Sequence, residues 1–165
     1  MDKRRTAPAA LTLLIDTNVW LDFYLASRRY HEAACALFTR AVSIDAQLLY
    51  AAPSIRDVHY LLGLSLKRMH REAQGSLDED AASAINEIAW KCTLNMAELA
   101  CAVGVDDSDI WLARKHRALH DDFEDDLIIA AAISSDASYL VTNDEQFLKA
   151  SPVRTLSVEK MLTLL

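Results

Sequence analysis

Short apolar runs, each leading into a segment of helical spacing, constrain this chain more than any other feature. Leu11 to Ile15, Leu48 to Ala52 and Tyr139 to Thr142 are the clearest, and Ala102 to Val105 and Val153 to Leu156 are briefer. Brief apolar runs bounded by turn chemistry read as strands buried on both faces. Between them, Val19 to Ala26 and His31 to Val42 read as helices, the second with Ala34, Leu37, Phe38 and Ala41 on one face. Ser54-Ile55-Arg56-Asp57 has the pattern of a capping box, opening a helix with Val58, Leu61, Leu62 and Ser65 inward that ends near Arg71. After the break at Gln74-Gly75-Ser76, an Ala-rich helix runs from about Leu77 to Cys101. Asp107-Ser108-Asp109 caps a helix through Arg117, and Asp122-Phe123-Glu124-Asp125 opens an apolar helix to Ser134. A helical turn or two follows over Asn143 to Lys149, and Ser157 caps the last helix. Strands alternating with helices predict an α/β fold: a central parallel sheet of four to five strands, covered by helices on both faces.

The 165 residues fit one domain over 11–165 behind a basic tail at 1–10, where Lys3-Arg4-Arg5 stand. With 52% hydrophobic residues and only 3 Gly and 3 Pro, a disordered or collagen-like chain is excluded. Pro8 and Thr12 interrupt the N-terminal apolar stretch, and no small-residue cleavage site follows it, so it reads as tail and strand, not as a signal peptide. Elsewhere the longest apolar run, Leu127 to Ile133, is far too short to span a bilayer. Cys35, Cys92 and Cys101 show no CxxC spacing, which fits free thiols in a reducing cytoplasm. The net charge of −7 excludes binding of nucleic acid by bulk attraction. Any such partner needs positive charge supplied locally.

Four acids fall where that supply can be arranged. Asp16 directly follows the first strand, and Asp57 lies in the first turn after the second. Asp125 opens the helix before the Tyr139 strand, and Asp144 comes just after that strand. Ligands of open parallel sheets bind beyond the carboxyl ends of the strands, where strand order reverses. Carboxylates crowded there repel one another, and a hard divalent cation, Mg²⁺ or Mn²⁺, makes the crowding tolerable. Taken singly, each acid also reads as a helix cap or dipole partner, and Asp122 or Asp126 stands close enough to replace Asp125 in the set. His59, His116 and His120 receive no role. Among Arg28, Arg29, Arg56, Lys67 and Arg68, Arg56 is the better phosphate contact because it adjoins Asp57. An Asp-nucleophile phosphatase wants a second acid two residues after the first, where this chain has Asn18.

Three stretches, in order, resemble the PIN domain family: Leu14-Ile15-Asp16-Thr17-Asn18-Val19-Trp20-Leu21-Asp22, Asp122-Phe123-Glu124-Asp125-Asp126-Leu127, and Tyr139-Leu140-Val141-Thr142-Asn143-Asp144-Glu145-Gln146-Phe147. The resemblance implies a three-layer α/β/α sandwich and a metal-dependent endoribonuclease, many small members being toxins of VapBC-type toxin–antitoxin pairs. It places Asp16, Asp125 and Asp144 on the metal, with Asp57 assisting where many members have Glu. Asn18 and Thr142 would orient a carboxylate or a water. The implied products carry a 5′ phosphate and a 3′ hydroxyl. The implied partners are RNA and an antitoxin, with a homodimer as the default assembly. Trp20, Phe23 and Tyr24 read either as the partner-facing surface or as core. The competing reading is a catalytically inactive PIN-fold interaction module. The stretch Leu77 to Cys101 exceeds the minimal family pattern.

Overall fold

The computed structural model describes residues 11–117 and 122–165; the basic segment 1–10, His120 and the side chain of His116 lie outside the described residues. Among the described residues, five strands form one sheet: β1 (Thr12–Ile15), β2 (Gln47–Ala51), β3 (Cys101–Val103), β4 (Tyr139–Val141) and β5 (Thr155–Leu156). Their order is β3-β2-β1-β4-β5 and every pairing is parallel. The chain thus builds outward from β1 in one direction, then crosses back to place β4 on the other side of β1. That reversal puts the topological switch point between β1 and β4.

The period-two alternation of side chains divides the strand residues between two cores. Leu13 and Ile15 of β1, Leu48 and Tyr50 of β2 and Val141 of β4 face one layer. It is built from α1 (Thr17–Tyr24), α2 (His31–Ser43), α3 (Ser54–Gln74), α4 (Glu79–Leu99) and α8 (Val158–Leu164). Leu14, Leu49, Ala51 and Leu140 face the other layer, where α6 (Phe123–Ser134) and α7 (Glu145–Ala150) pack. α5 (Asp107–His116) lies against α6. Every residue of α6 from Asp126 to Ala132 is buried. A helix between a sheet and a second helix has no face left for water, and the run Ala130-Ala131-Ala132 permits the close approach.

Several local expectations change in three dimensions. Trp20 is 0% exposed, with its ring centroid 4.5 Å from that of Phe38 and 6.5 Å from that of Tyr50. Trp20 is core, and Phe23 and Tyr24 pack half-buried against it. The capping box at Ser54 does not form. Pro53 is the N-cap, already in helical conformation at φ −62 and ψ −33, which makes buried Ser54 the first helical residue and takes its hydroxyl out of capping position. The box occurs instead at α5, where Asp106 accepts from Asp109 N and Asp109 accepts from Asp106 N. The stretch beyond the minimal pattern becomes α4, which packs on α3 and leads into β3. Gly75 ends α3 at φ 79, a left-handed conformation suited to a residue without Cβ.

Candidate active site

The carboxyl ends of β1 and β4 bring the first and last of the expected acids together. Asp16 is 2% exposed and its backbone caps α1 in extended geometry, but its side chain makes no capping bond. Instead Oδ2 accepts a 2.7 Å hydrogen bond from the hydroxyl of buried Thr142, just past β4. The same hydroxyl oxygen accepts from the Asp144 backbone N–H at 3.0 Å. Thr142 thus ties one strand end to the other. Asp144 does cap its helix, but with Oδ1 alone, which accepts from Gln146 N and Phe147 N at 2.7 and 3.1 Å.

The third expected acid arrives on α6. Asp125 is half-buried in the first turn and, among the described residues, no hydrogen bond restrains it. Burial pushes its carboxyl up to about 7, reinforced by the charges of Asp122, Asp16, Asp144 and Glu124. Burial likewise raises Asp16 to about 6; the Thr142 hydrogen bond opposes the shift, and Glu124 and Asp144 add to it. Asp16, Asp125 and Asp144 therefore share one electrostatic field although they come from three parts of the chain. Asp126 points to the α5 side, among Ile110 and Ala113, and Asp122 caps α6 by accepting from Glu124 N at 2.9 Å.

Asp57 sits further out. Its Oδ1 accepts from Nε and Nη2 of Arg56 at 3.1 and 2.9 Å, and it shares a cavity wall with Glu124. By sequence Glu124 flanks Asp125 and reads either as a helix-start charge or as a ligand; the structure sets it beside the other acids. Its Oε1 accepts from the Thr17 hydroxyl at 3.1 Å, and burial and the Asp57 charge raise its carboxyl. It stands electrostatically between Asp57 and the inner acids. Its only sequence signal is a carboxylate beside Asp125. Asn18, expected to orient an acid, is exposed, and its neighbour Thr17 makes the bond.

Asp22 is a buried acid with a different task. It accepts from Arg28 Nε at 2.6 Å and from Asn143 Nδ2 at 3.1 Å, while Asn143 Oδ1 accepts from Val158 N. This network joins α1, the end of β4 and the start of α8, and it removes Arg28 from the phosphate contacts. Arg68 pairs with Glu72, and Arg29 lies over the Tyr30 ring at 5.1 Å. His59 shares a hydrogen bond with Thr93 at the α3–α4 contact, away from the acids.

Among the described residues, no three His, Cys, Asp or Glu side chains already converge as a metal-binding group. The donor chemistry nonetheless fits a hard divalent cation. The donors that Asp16, Asp125 and Asp144 supply are carboxylate oxygens, and burial first, with the neighbouring acids adding to it, disfavours the charged form of Asp16 and Asp125 in the absence of a cation.

The sequence profile of the PIN domain matches residues 12–146. No curated protein matches in sequence. Among solved structures, the chain is similar to a VapBC2 structure from Rickettsia felis, crystallised with a DNA fragment from its promoter. The TM-score is 0.61 at 11% identity, over 89% of this chain and 98% of that one. It is also similar to VapC20 of Mycobacterium tuberculosis, described as a Sarcin-Ricin loop cleaving toxin. There the TM-score is 0.57 at 13% identity, over 84% of this chain and 94% of that one. A profile match over most of the chain, with the same sandwich in three dimensions, settles the family: the chain belongs to the PIN domain family.

Proposed function

We propose that this protein is a Mg²⁺- or Mn²⁺-dependent endoribonuclease, acting as the toxin of a VapBC-type pair. The observation that carries the reading is a buried Asp16 that caps nothing with its side chain. It is fixed by Thr142 at the switch point, within the field of Asp125 and Asp144. Asp16, Asp125 and the uncapped oxygen of Asp144 would hold the cation, with Asp57 and Glu124 on the outer side. When bound, the ion supplies positive charge to an RNA phosphate and acidity to an attacking water. The chain's own residues set the geometry. Thr142 fixes the Asp16 carboxylate and, through the Asp144 N–H, the loop after β4. Thr17 fixes Glu124, which holds the start of α6 against α1.

The similarity to VapC20 supports RNA as substrate, and the VapBC2 complex supports an antitoxin partner. No helix among the described residues is long and apolar enough to cross a membrane. The three free thiols support a cytoplasmic site of action. Cleavage of a mixed RNA pool by wild type and by Asp16→Asn tests the proposal, each with Mg²⁺, Mn²⁺ or chelator. Wild type with metal cuts; the variant and the chelated protein do not. Cutting that survives chelation, or survives in Asp16→Asn, counts against the mechanism. A protein that neither cuts nor gains thermal stability with metal is the inactive interaction module.

A further inference from the structure

The first residue of α6 carries a feature that neither the acids nor the core uses. Phe123 leaves 62% of its surface exposed, although folding readily buries a phenyl ring. The ring is a wall shared by two cavities. One, of about 360 Å³, lies between α5 and α6 and is lined by Ile110, Ala113, Arg114, Arg117, Asp122 and Asp126 as well as the ring, the two arginines at the exposed rim and Asp126 buried at the floor. The other, of about 290 Å³, extends from the ring to Pro53, Arg56, Asp57, Glu124 and Leu127, so that its acids belong to the candidate metal site and Arg56 is its cation. Positions 110, 114 and 117 recur at helical spacing along α5 and its C-cap residue Arg117, so both arginines line that cavity on its α5 side. Arg114 and Arg117 are exposed, and among the described residues neither is held in an ion pair. On the other flank, Arg56 pairs with Asp57 through Nε and Nη2 and keeps a side chain 83% exposed. The whole arrangement borders Glu124 and Asp125, the next residues along α6.

A chain of net charge −7 must attract a polyanion locally. An accessible ring with guanidinium groups on both sides matches the chemistry of an unpaired nucleotide: the base stacks on the ring and the adjoining phosphates meet the cations. A duplex keeps its base faces stacked internally and has none to offer. A purely apolar protein contact would leave arginines on both flanks without purpose.

We infer that Phe123 is the stacking platform for a base of single-stranded RNA at the mouth of the acidic site, with Arg56 on one side and Arg114 and Arg117 on the other holding the neighbouring phosphates. The assignment rests on the nuclease reading for the fate of the RNA, but not for its binding. Fluorescence anisotropy of a labelled single-stranded RNA, in an Asp16→Asn background with Mg²⁺, tests it. Phe123→Ala weakens binding about tenfold, Phe123→Trp restores it, and the Arg114→Ala, Arg117→Ala double variant weakens binding and flattens its salt dependence. A duplex of the same sequence binds more weakly and does not respond to Phe123→Ala. Because Phe123 is exposed, melting curves of its variants stay with the parent. Single-strand affinity of Phe123→Ala within twofold of the parent overturns the inference and points to a protein as what covers the ring. Phe123-dependent binding by a wild-type chain that never cuts overturns the nuclease reading and leaves the platform in place.

Discussion

At the scale of single residues, the informative contrast is between two buried acids. Asp22 is neutralised by Arg28 and bonded by Asn143, and it holds elements together. Asp16 has the Thr142 hydroxyl and the Thr17 backbone N–H for support, no cation, and lies among other carboxylates. The crowding around Asp16 has a consequence for pH. Asp16 titrates near 3.8 when unfolded and about 6 when folded, and Asp125 goes from 3.8 to about 7. A raised folded-state value means that the native state holds protons the unfolded chain has released. Their favourable contribution is complete below 3.8 and is lost as pH rises through about 6 to 7. Metal-free protein is therefore expected to lose stability between pH 5 and pH 8 through these groups. Asp16→Asn is expected to melt above wild type at pH 8 and level with it near pH 4. Denaturation at both pH values checks the sign, and a variant less stable than wild type at pH 8 contradicts it. Thr142→Val removes the hydroxyl that bridges Asp16 and Asp144 N–H. It is expected to lower stability by about 1–3 kcal/mol, since both partners are left without it. It also moves the pH midpoint of the Asp16 effect upward, which a plain packing defect would not do.

At the scale of elements, α6 and the α3–α4 hairpin are decided by different forces. α6 is buried from Asp126 to Ala132, so its register against the sheet is fixed by volume. Ala131→Leu inserts a branched side chain into a packed layer and is expected to destabilise by about 1–3 kcal/mol, read as a lower urea midpoint. Because Asp125 rides on the same helix, the proposed RNA cutting is expected to fall with it. The hairpin turn depends on backbone conformation. Gly75 at φ 79 has open space where a Cβ would stand, so Gly75→Ala meets no clash. The expected loss of about 1–2 kcal/mol comes from the left-handed backbone alone. The turn lies at the opposite end of the 21-residue α3 from Asp57, so the proposed cutting rate at saturating metal is expected to match wild type. Ser54 illustrates why element boundaries were less legible than the elements themselves. A serine followed three residues later by an acid satisfies the capping pattern, and only the helical Pro53 places the helix start earlier.

At the scale of the whole molecule, the parallel sheet is what assembles the acids. β1 and β4 are neighbours although 126 residues separate Asp16 from Thr142, and their adjacent ends create the crevice. Binding of a divalent cation to the folded form alone raises stability, by about 2.7 kcal/mol at one hundred times the dissociation constant. Thermal melts with Mn²⁺ are expected to shift upward strongly at pH 8 and weakly at pH 5, where protons already neutralise Asp16 and Asp125. A shift of equal size at both pH values would place the ion elsewhere. Asp16→Asn, Asp125→Asn and the double variant should each shrink the shift at pH 8.

The sequence by itself determined the strands, the helices and their parallel arrangement, and it placed Asp16 and Asp144 just past strands and Asp125 at a helix start. Those follow from periodicity and from neighbours within a few residues, which are local properties. It was also enough to suggest the family, through three short motifs in order. Only the tertiary structure decided how each side chain is used. It made Trp20 core, assigned Asp22 to Arg28 and Asn143, and set Glu124 against Thr17, 107 residues away. It also left Phe123 exposed between two arginine-lined cavities. Burial and charge coupling depend on what the rest of the chain packs nearby, and no local pattern carries that information.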